Sequence, residues 1–357
     1  MSGADEDSAL HPRDTYDLLG HEEAEADLAS ALSFGRVHHA WLITGPLGVG
    51  KATLAYRAAR ILLGAKRMPG ARPLAASPDD PVVQQIAHNT HPDLRILKRG
   101  VDEKTGKEKT EISVDDARGL SAFFGLSAGN GGRRIALIDT ADELNRNAAN
   151  ALLKTIEEPP PGCVLFLICN APGALPRTIM SRCRRLTLRA PEEAQVINWL
   201  AEKGFGNDDA QLASRLARNA PGLALTFAQG AGAARYKAFS NFMQGLGSSR
   251  GNLAAQSLID AASARAAAGE QSALDLLFVF ARDWLARAAR LQAGLAADEI
   301  IPGENEAIKR VVASWNPASL SSAYSAIGEL QTQFDDVNLD RGHTAAEMMA
   351  LLSKIVP

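Results

Sequence analysis

The chain has little cysteine. Among its 357 residues the cysteines are Cys163, Cys169 and Cys183, and no two of them form a C-x-x-C pair. Structural zinc sites are usually built from closely spaced cysteine and histidine ligands, so we expect no zinc and no other bound metal. Cys163 and Cys169 fall within one apolar run, which favours packed thiols over metal ligands.

The chain also lacks a strong charge of one sign and a long apolar run. Its formal net charge is −3, so it has no overall basic bias of the kind that autonomous nucleic-acid binding usually shows, although a local basic face remains open. The apolar stretch 273–291 is interrupted by charges such as Asp283 and Arg287, which excludes a membrane span and favours a core helix. The acidic N-terminus has no apolar signal region, so we expect a cytoplasmic protein with no membrane partner.

What the first half of the chain contains is an alternation of strand and helix patterns. The apolar runs 40–44, 135–139 and 163–169 lack the polar alternation of half-exposed strands, which predicts buried parallel strands. Apolar residues at steps of four from Leu144 to Ile156 predict a helix between the last two strands. We therefore predict a parallel-sheet α/β domain over residues 1–190.

The pattern changes after residue 190. No strand pattern follows, whereas Pro191 and the two acidic residues after it are typical of a helix start. We predict a small helical domain over 191–233, closed by a joint at Gly230–Gly232, and a C-terminal helical domain over 234–357. The fold class is then α/β followed by all-α.

A glycine-rich loop follows the first strand and precedes a helix, which is the context of a phosphate-binding P-loop. Gly45, Gly48 and Gly50 would let backbone N–H groups converge, and Lys51 would contact the β- and γ-phosphates. The magnesium-binding hydroxyl is missing because the next residue is Ala, and Thr53 comes one residue late. The alternative is a glycine-rich turn without a ligand. We expect ATP to bind weakly or not at all, with little help from Mg²⁺.

A second polar group lies at the ends of the later strands. Asp139 has the position of a Walker B acid, but Thr140 replaces the Glu that would activate water, so self-hydrolysis is not expected. Asp142 is interpreted as a helix N-cap. Asn170 has two open interpretations, a sensor of the γ-phosphate or an Asn that caps its own loop.

Arg182, between Ser181 and Cys183, begins a basic run that alone would be interpreted as a solvated domain edge. Together with other motifs the sequence resembles the clamp-loader branch of the AAA+ proteins, and within it the delta-prime family of bacterial DNA polymerase III subunits. The resemblance covers about residues 18–190. The matching residues are 19–21, 35–40, 45–51, 91–93, Asp139, 150–160, 175–176 and 181–183.

The resemblance implies an AAA+ P-loop domain, a helical lid over 191–233 and an oligomerisation collar over 234–357. It implies that Arg182 is an arginine finger acting in trans on a gamma/tau ATP site, with Ser181 and Cys183 at the same interface. The implied partners are the gamma/tau and delta subunits, the sliding clamp (beta), and primed DNA reached through the assembly. The chain would be part of a polymerase holoenzyme without polymerase activity of its own.

Two departures from the family matter. Many relatives carry a four-cysteine zinc module where this chain has residues 64–90, within a cysteine-free insertion over 64–93, and residues 220–226 lack the sensor Arg of a motor subunit. The main alternative is an ATP-hydrolysing motor such as gamma/tau, which should keep the Walker A hydroxyl, the Walker B Glu and usually the zinc cysteines. A further alternative is an unrelated P-loop kinase, which rarely needs the Ser-Arg-Cys element.

Overall fold

The computed structural model describes residues 11–33, 37–101, 109–126, 128, 132–229, 232–246, 248–264, 272–313, 315–337 and 339–354. The chain forms two compact units. One comprises residues of 9–196 together with 219–223, and the other comprises residues of 197–218 and 224–357. The division into domains at 190 and 233 stays a prediction, and the predicted joint at Gly230–Gly232 lies partly outside the described residues.

The first unit is built on a sheet of five parallel strands in the order β2-β3-β4-β1-β5. The predicted strands at 40–44, 135–139 and 163–169 are confirmed, and two shorter strands flank them. The strands are β1 (Ala40–Thr44), β2 (Leu94–Leu97), β3 (Arg134–Asp139), β4 (Cys163–Cys169) and β5 (Arg184–Thr187).

Helices cover the sheet on both faces, as expected for parallel strands that are apolar throughout. Trp41 and Phe166 belong to one buried apolar cluster, and Leu42 and Leu165 belong to another, because neighbouring strand residues point to opposite faces. The helices of this unit are α1 (Glu22–Ser33), α2 (Lys51–Leu62), α3 (Pro81–Ala87), α4 (Val114–Gly125), α5 (Arg146–Glu157) and α6 (Arg177–Met180).

The start of α5 differs from the sequence prediction. The helix begins at Arg146, and its N-cap is Asn145, whose side chain accepts a hydrogen bond from the Ala148 amide. Leu144, the first residue of the predicted apolar series, therefore precedes the helix. Asp142 is not the N-cap, because it lies in a short 3-10 turn before this point.

The cysteine-free segment 64–93 carries α3 and is attached to the domain by a buried ionic cluster. We call Glu25, Arg57 and Arg72 the anchor cluster. Glu25 is fully buried, and its carboxylate lies 2.7 Å from Arg57 Nη2 and 2.5 Å from Arg72 Nε. It also accepts a hydrogen bond of 3.1 Å from the Leu74 amide. Charges and hydrogen bonds of the chain itself thus hold this segment in place.

No strand occurs after residue 191 in the described part of the chain, which confirms the all-α prediction. α12 contains the apolar stretch found in the sequence, and Phe278, Phe280 and Trp284 on it are buried. No described helix is long and apolar enough to cross a membrane. The helices are α7 (Glu193–Glu202), α8 (Asn207–Leu216), α9 (Pro221–Gln229), α10 (Gly232–Gln244), α11 (Ser249–Ser263), α12 (Ala273–Gln292), α13 (Glu304–Val312), α14 (Pro317–Val337) and α15 (Arg341–Ser353).

Within the second unit, a polar network is buried where α10, α12 and α13 meet. Glu304 lies 2.9 Å from Arg287 Nη1 and accepts hydrogen bonds from Tyr236 (2.8 Å) and Ser240 (3.0 Å). Arg287 also donates to Asp283 at 2.8 Å. Since both Arg287 and Glu304 are almost fully buried, each needs its partner to offset the loss of water.

Candidate functional site

The glycine-rich loop joins β1 to α2 at the carboxyl edge of the sheet. Gly45 and Gly48 have φ values of 148° and 75°, which side chains rarely tolerate. A Cβ on Gly45 would lie 2.4 Å from the Leu188 carbonyl oxygen, and a Cβ on Gly48 would lie 2.6 Å from the Leu223 amide nitrogen. Gly50, with a φ of 107°, is the N-cap of α2. The loop therefore has the backbone curvature of a P-loop and is tightly surrounded.

Lys51 is folded back onto this loop. Its Nζ donates hydrogen bonds to the carbonyl oxygens of Gly45 (2.8 Å) and Pro46 (2.6 Å), and the residue is 4% exposed. Burial lowers the pKa of Lys51 to about 8, a shift that Asp139 and Asp142 partly oppose. The ammonium group thus already has acceptors within its own loop.

The position of the magnesium ligand carries no hydroxyl. Ala52 packs against the apolar core, and Thr53, the next residue of α2, is buried with 8% exposure. A P-loop holds Mg²⁺ through a Ser or Thr hydroxyl directly after the lysine. The residues present therefore do not match the ligand set of Mg²⁺-ATP hydrolysis.

Asp139 ends β3 on the same edge of the sheet. Burial raises its pKa, while the nearby positive charges of Lys51 and Lys98 act in the opposite direction. Thr140 follows it, so the next residue of the chain carries no carboxylate to activate water. Asp139 retains the position expected of a metal-binding acid without its usual partner.

Asp142 links the ends of β3 and β4. Its carboxylate oxygens accept hydrogen bonds from the backbone amides of Asn170 (2.9 Å) and Ala171 (3.2 Å). The loop after β4 is therefore capped by Asp142 and not by the side chain of Asn170. That side chain is partly exposed and makes no hydrogen bond within the described part of the chain, so it is available to a ligand or a partner.

The loop is covered by residues 219–223, which belong to the same compact unit. The Gly222 amide donates a 2.8 Å hydrogen bond to the Gly48 carbonyl oxygen, and Leu223 lies directly over Gly48. Sequence reasoning singled out residues 220–226 for lacking a sensor Arg, but nothing in the pattern indicated this contact.

Residues 18–21, which precede α1, also contact the phosphate loop. His21 Nε2 lies 2.9 Å from the Val49 carbonyl oxygen, and burial lowers the pKa of His21. Arg72 of the anchor cluster donates to the carbonyl oxygens of Leu18 (2.5 Å) and Gly20 (2.8 Å). His21 entered the sequence analysis only through the family resemblance, and its role beside the loop was not predicted.

The Ser-Arg-Cys group follows α6. Ser181 and Arg182 are exposed, whereas Cys183 packs against the apolar core and burial raises its thiol pKa to about 11. Arg182 Nε lies 2.7 Å from Glu157 Oε1 at the end of α5, a contact that sequence reasoning missed. Of the three residues assigned to a partner interface, Ser181 and Arg182 are therefore the accessible ones.

The predicted site residues fall into two groups at opposite ends of β1. The first group lies near the carboxyl ends of the strands. It contains the loop glycines, Lys51 and Thr53 after β1, Asp139 at the end of β3, and Asn170 after β4. In contrast, Arg184 pairs with Trp41 near the start of β1, so Arg182 lies beyond the amino end of that strand. A strand of five residues spans about 15 Å, so Arg182 lies far from its own chain's loop.

The described part of the chain contains no group of three or more His, Cys, Asp or Glu side chains arranged to hold a metal ion. The three thiols are free, and two of them, Cys163 and Cys169, are buried. The packed-thiol interpretation of Cys163 and Cys169 agrees with this burial.

Comparison with known proteins finds similarity to subunits of DNA polymerase III. Residues 20–192 match the family model described as DNA polymerase III, delta subunit. The chain is 40% identical to subunit delta′ of Pseudomonas aeruginosa over 165 residues, which are 46% of this chain and 47% of that protein. It is 34% identical to subunit delta′ of Escherichia coli K12 over 204 residues, 57% of this chain and 58% of that protein.

A tau subunit is also similar. The E. coli K12 tau subunit is 34% identical over 187 residues, which are 52% of this chain and 27% of that protein. The aligned regions thus span only about half of the delta′ relatives and a smaller part of tau. Residues 20–192, just under half of the chain, are thus similar to the DNA polymerase III delta-subunit family, and the relatives named above are subunits of DNA polymerase III.

Proposed function

We propose that this chain is the delta-prime subunit of a DNA polymerase III clamp loader. It acts as a largely non-hydrolysing stator that supplies Arg182 in trans to the ATP site of a gamma/tau subunit. The ATP hydrolysed there drives loading of the sliding clamp onto primed DNA.

The observation that carries this proposal is the separation of Arg182 from the loop of its own chain. Arg182 is exposed at the amino end of β1, whereas the loop follows the carboxyl end. A cation that stabilises charge on a transferring phosphoryl group must touch it. The phosphate that Arg182 serves therefore belongs to another chain.

The proposed chemistry is electrostatic. A guanidinium group placed against the γ-phosphate stabilises the charge of the transition state, and arginine fingers of this kind are worth about 10³–10⁵ in rate. Arg182 is suited to this because its planar group can bind phosphate oxygens through paired N–H donors.

The chain's own loop supports the stator part of the proposal. Ala52 cannot hold Mg²⁺, Thr140 cannot activate water, and Lys51 is held by the carbonyl oxygens of Gly45 and Pro46. We propose that ATP binds this loop weakly or not at all and that Mg²⁺ adds little. Calorimetric titration of ATP with and without Mg²⁺ tests this, and tight binding that requires Mg²⁺ would contradict it.

The assembly part of the proposal concerns the helical regions. Residues 191–233 act as the lid and residues 234–357 as the collar that joins gamma/tau and delta in the ring. Sliding clamp and primed DNA are reached through this cytoplasmic assembly, with DNA held by backbone phosphates and not by base reading. Truncation after about residue 235 should abolish co-purification with gamma/tau and delta, and a full complex with the truncated chain would contradict the collar assignment.

The main experiment is reconstitution with gamma/tau, delta, the sliding clamp and primed DNA. Arg182→Ala should leave the assembly intact while lowering its DNA-stimulated ATPase and clamp loading by at least about tenfold. Arg118→Ala, which removes an exposed arginine of α4, is the matched control and should change neither rate. Unchanged clamp-loading kinetics in Arg182→Ala would refute the finger assignment.

A second candidate function is an ATP-hydrolysing motor subunit of the gamma/tau type. The 34% identity to the E. coli tau subunit favours it. An ATPase assay on the isolated chain distinguishes the two functions. A motor should hydrolyse ATP in the presence of Mg²⁺ and lose this activity in Lys51→Ala. A stator should show no hydrolysis above that of the Lys51→Ala variant.

A further inference from the structure

The guanidinium group of Arg182 is held on one side by residues of its own chain. Its Nε lies 2.7 Å from the Glu157 carboxylate, the last residue of α5. Its Nη1 donates to the Thr178 carbonyl oxygen (3.1 Å) and to Ser181 Oγ (3.4 Å). One ion pair and two hydrogen bonds, from two separate parts of the chain, thus restrain the position of this group.

One terminal nitrogen of the guanidinium group, Nη2, has no hydrogen-bond acceptor in the described part of the chain. The Arg182 side chain is 40% exposed. The arrangement therefore immobilises the arginine without using all of its donors. The N–H groups of Nη2 remain available for an acceptor from outside the chain.

The geometry points to Glu157 as the positioning residue of Arg182: it holds the guanidinium group through Nε, so that Nη2 is presented to a phosphate group bound by a neighbouring subunit. This inference rests on the proposed function and concerns how Arg182 is oriented before the neighbouring subunit binds. Glu157 itself does not touch the nucleotide.

Two physical arguments support a positioning role. Both side chains are partly exposed to solvent, at 40% and 45%, so the ion pair contributes little to the stability of the fold. An arginine side chain has many rotamers, however, and fixing it before the partner arrives removes an entropic cost from the transition state. The contact is therefore better suited to orienting the cation than to holding the domain together.

The test compares Glu157→Ala, Glu157→Gln and Glu158→Ala in the reconstituted clamp loader. Loss of orientation in Glu157→Ala should lower kcat for DNA-stimulated ATP hydrolysis by about tenfold, with little change in KM for ATP. Glu157→Gln keeps an acceptor oxygen for Nε and should stay within about twofold of wild type. Glu158→Ala removes the adjacent exposed carboxylate, which forms no ion pair with Arg182 in the described part of the chain, and should match wild type.

A second measurement reports on the contact without any nucleotide. In the free chain, ¹⁵N relaxation of the Arg182 Nε–H group should show a rigid side chain in wild type and Glu157→Gln. In Glu157→Ala it should show a mobile one. Thermal unfolding of the same samples should be nearly unchanged.

The outcomes separate this inference from the proposed function. If Arg182→Ala lowers the ATPase rate of the assembled complex while Glu157→Ala does not, the positioning role is refuted and the assignment of Arg182 as an arginine finger is retained. A faster Glu157→Ala complex would show that Glu157 restrains the arginine, and it would also refute positioning. If Glu157→Gln falls as far as Glu157→Ala, or if Arg182 Nε–H is mobile in wild type, the contact with Glu157 does not orient the group as proposed. No effect of Arg182→Ala refutes the proposed function itself.

Discussion

The backbone amide of Gly222 donates a 2.8 Å hydrogen bond to the carbonyl oxygen of Gly48. Gly48 lies at the tip of the phosphate loop and Gly222 at the start of α9, so the contact joins parts of the chain that are far apart in sequence. A Cβ on Gly222 would itself lie 3.0 Å from that same carbonyl oxygen. The two backbones approach so closely that a Cβ would clash at Gly48 and would be tightly packed at Gly222.

Gly48→Ala should therefore destabilise the chain more than its backbone conformation alone requires. Gly70 is the matched control, because its φ of 74° equals that of Gly48 within one degree and nothing lies within 4 Å of its Cβ position. We expect Gly70→Ala to lower the free energy of unfolding by about 1–2 kcal/mol through the left-handed backbone alone. Gly48→Ala should cost a further ~1–3 kcal/mol, because Leu223 must move.

Urea unfolding of the two variants measures this difference. Equal unfolding free energies for Gly48→Ala and Gly70→Ala would mean that residues 219–223 do not press on the loop.

The burial of Lys51 should make the free energy of unfolding depend on pH. Burial lowers its pKa from 10.5 to about 8, so between pH 8 and 10.5 the unfolded chain binds more protons at this residue than the folded chain does. The contribution of Lys51 to the free energy of unfolding must then increase as the pH rises through this range. Lys51→Met removes the titration, so wild type should gain stability relative to Lys51→Met between pH 8 and 10.

The measurement is urea unfolding of wild type, Lys51→Met and Lys154→Met over this pH range. Lys154 is an exposed lysine of α5, and its variant should follow wild type in parallel. A constant difference between wild type and Lys51→Met would contradict the burial of the ammonium group.

Glu304→Ala should strongly destabilise the C-terminal helical unit. Removing this buried carboxylate leaves Arg287, itself 4% exposed, with Asp283 as its remaining acidic partner. Removing one partner of a buried ion pair typically costs about 3–5 kcal/mol, and we expect about 3 kcal/mol here because Asp283 remains. Thermal unfolding and urea unfolding both report on this loss.

The control is Glu306→Ala, which breaks the exposed ion pair with Lys309 on the same helix. It should leave the unfolding transition unchanged, because exposed pairs of this kind contribute little. Similar effects of the two substitutions would show that the buried network does not stabilise the fold.

The strands were predictable because their signal is local. The runs around Ile138 and Phe166 are apolar throughout, and a strand buried on both faces requires such a run wherever it lies in the sheet. The phosphate loop was predictable for a similar reason, since Gly45 to Lys51 carry both the turn residues and the cation within seven positions.

The contacts that define the site were not predictable in this way. The contacts Glu157–Arg182 and Gly48–Gly222 depend on how separate elements pack in three dimensions. Nothing in the sequence around these residues indicates which distant residue each one contacts. Asp142 shows the limit of local reasoning, because an Asp before a helix is a good N-cap candidate. Asn145, three residues later, takes that role, and Asp142 bonds to the next strand's loop instead.

The anchor cluster has a consequence for how distant residues influence the phosphate loop. Arg72 binds the carbonyl oxygens of Leu18 and Gly20, and His21, the next residue, bonds to Val49 within the loop. Hydrogen bonds at residues 18–21 thus connect the segment around Arg72 to the phosphate loop. A displacement of that segment, by a partner or a substitution, would be transmitted to the loop without any contact to the nucleotide site.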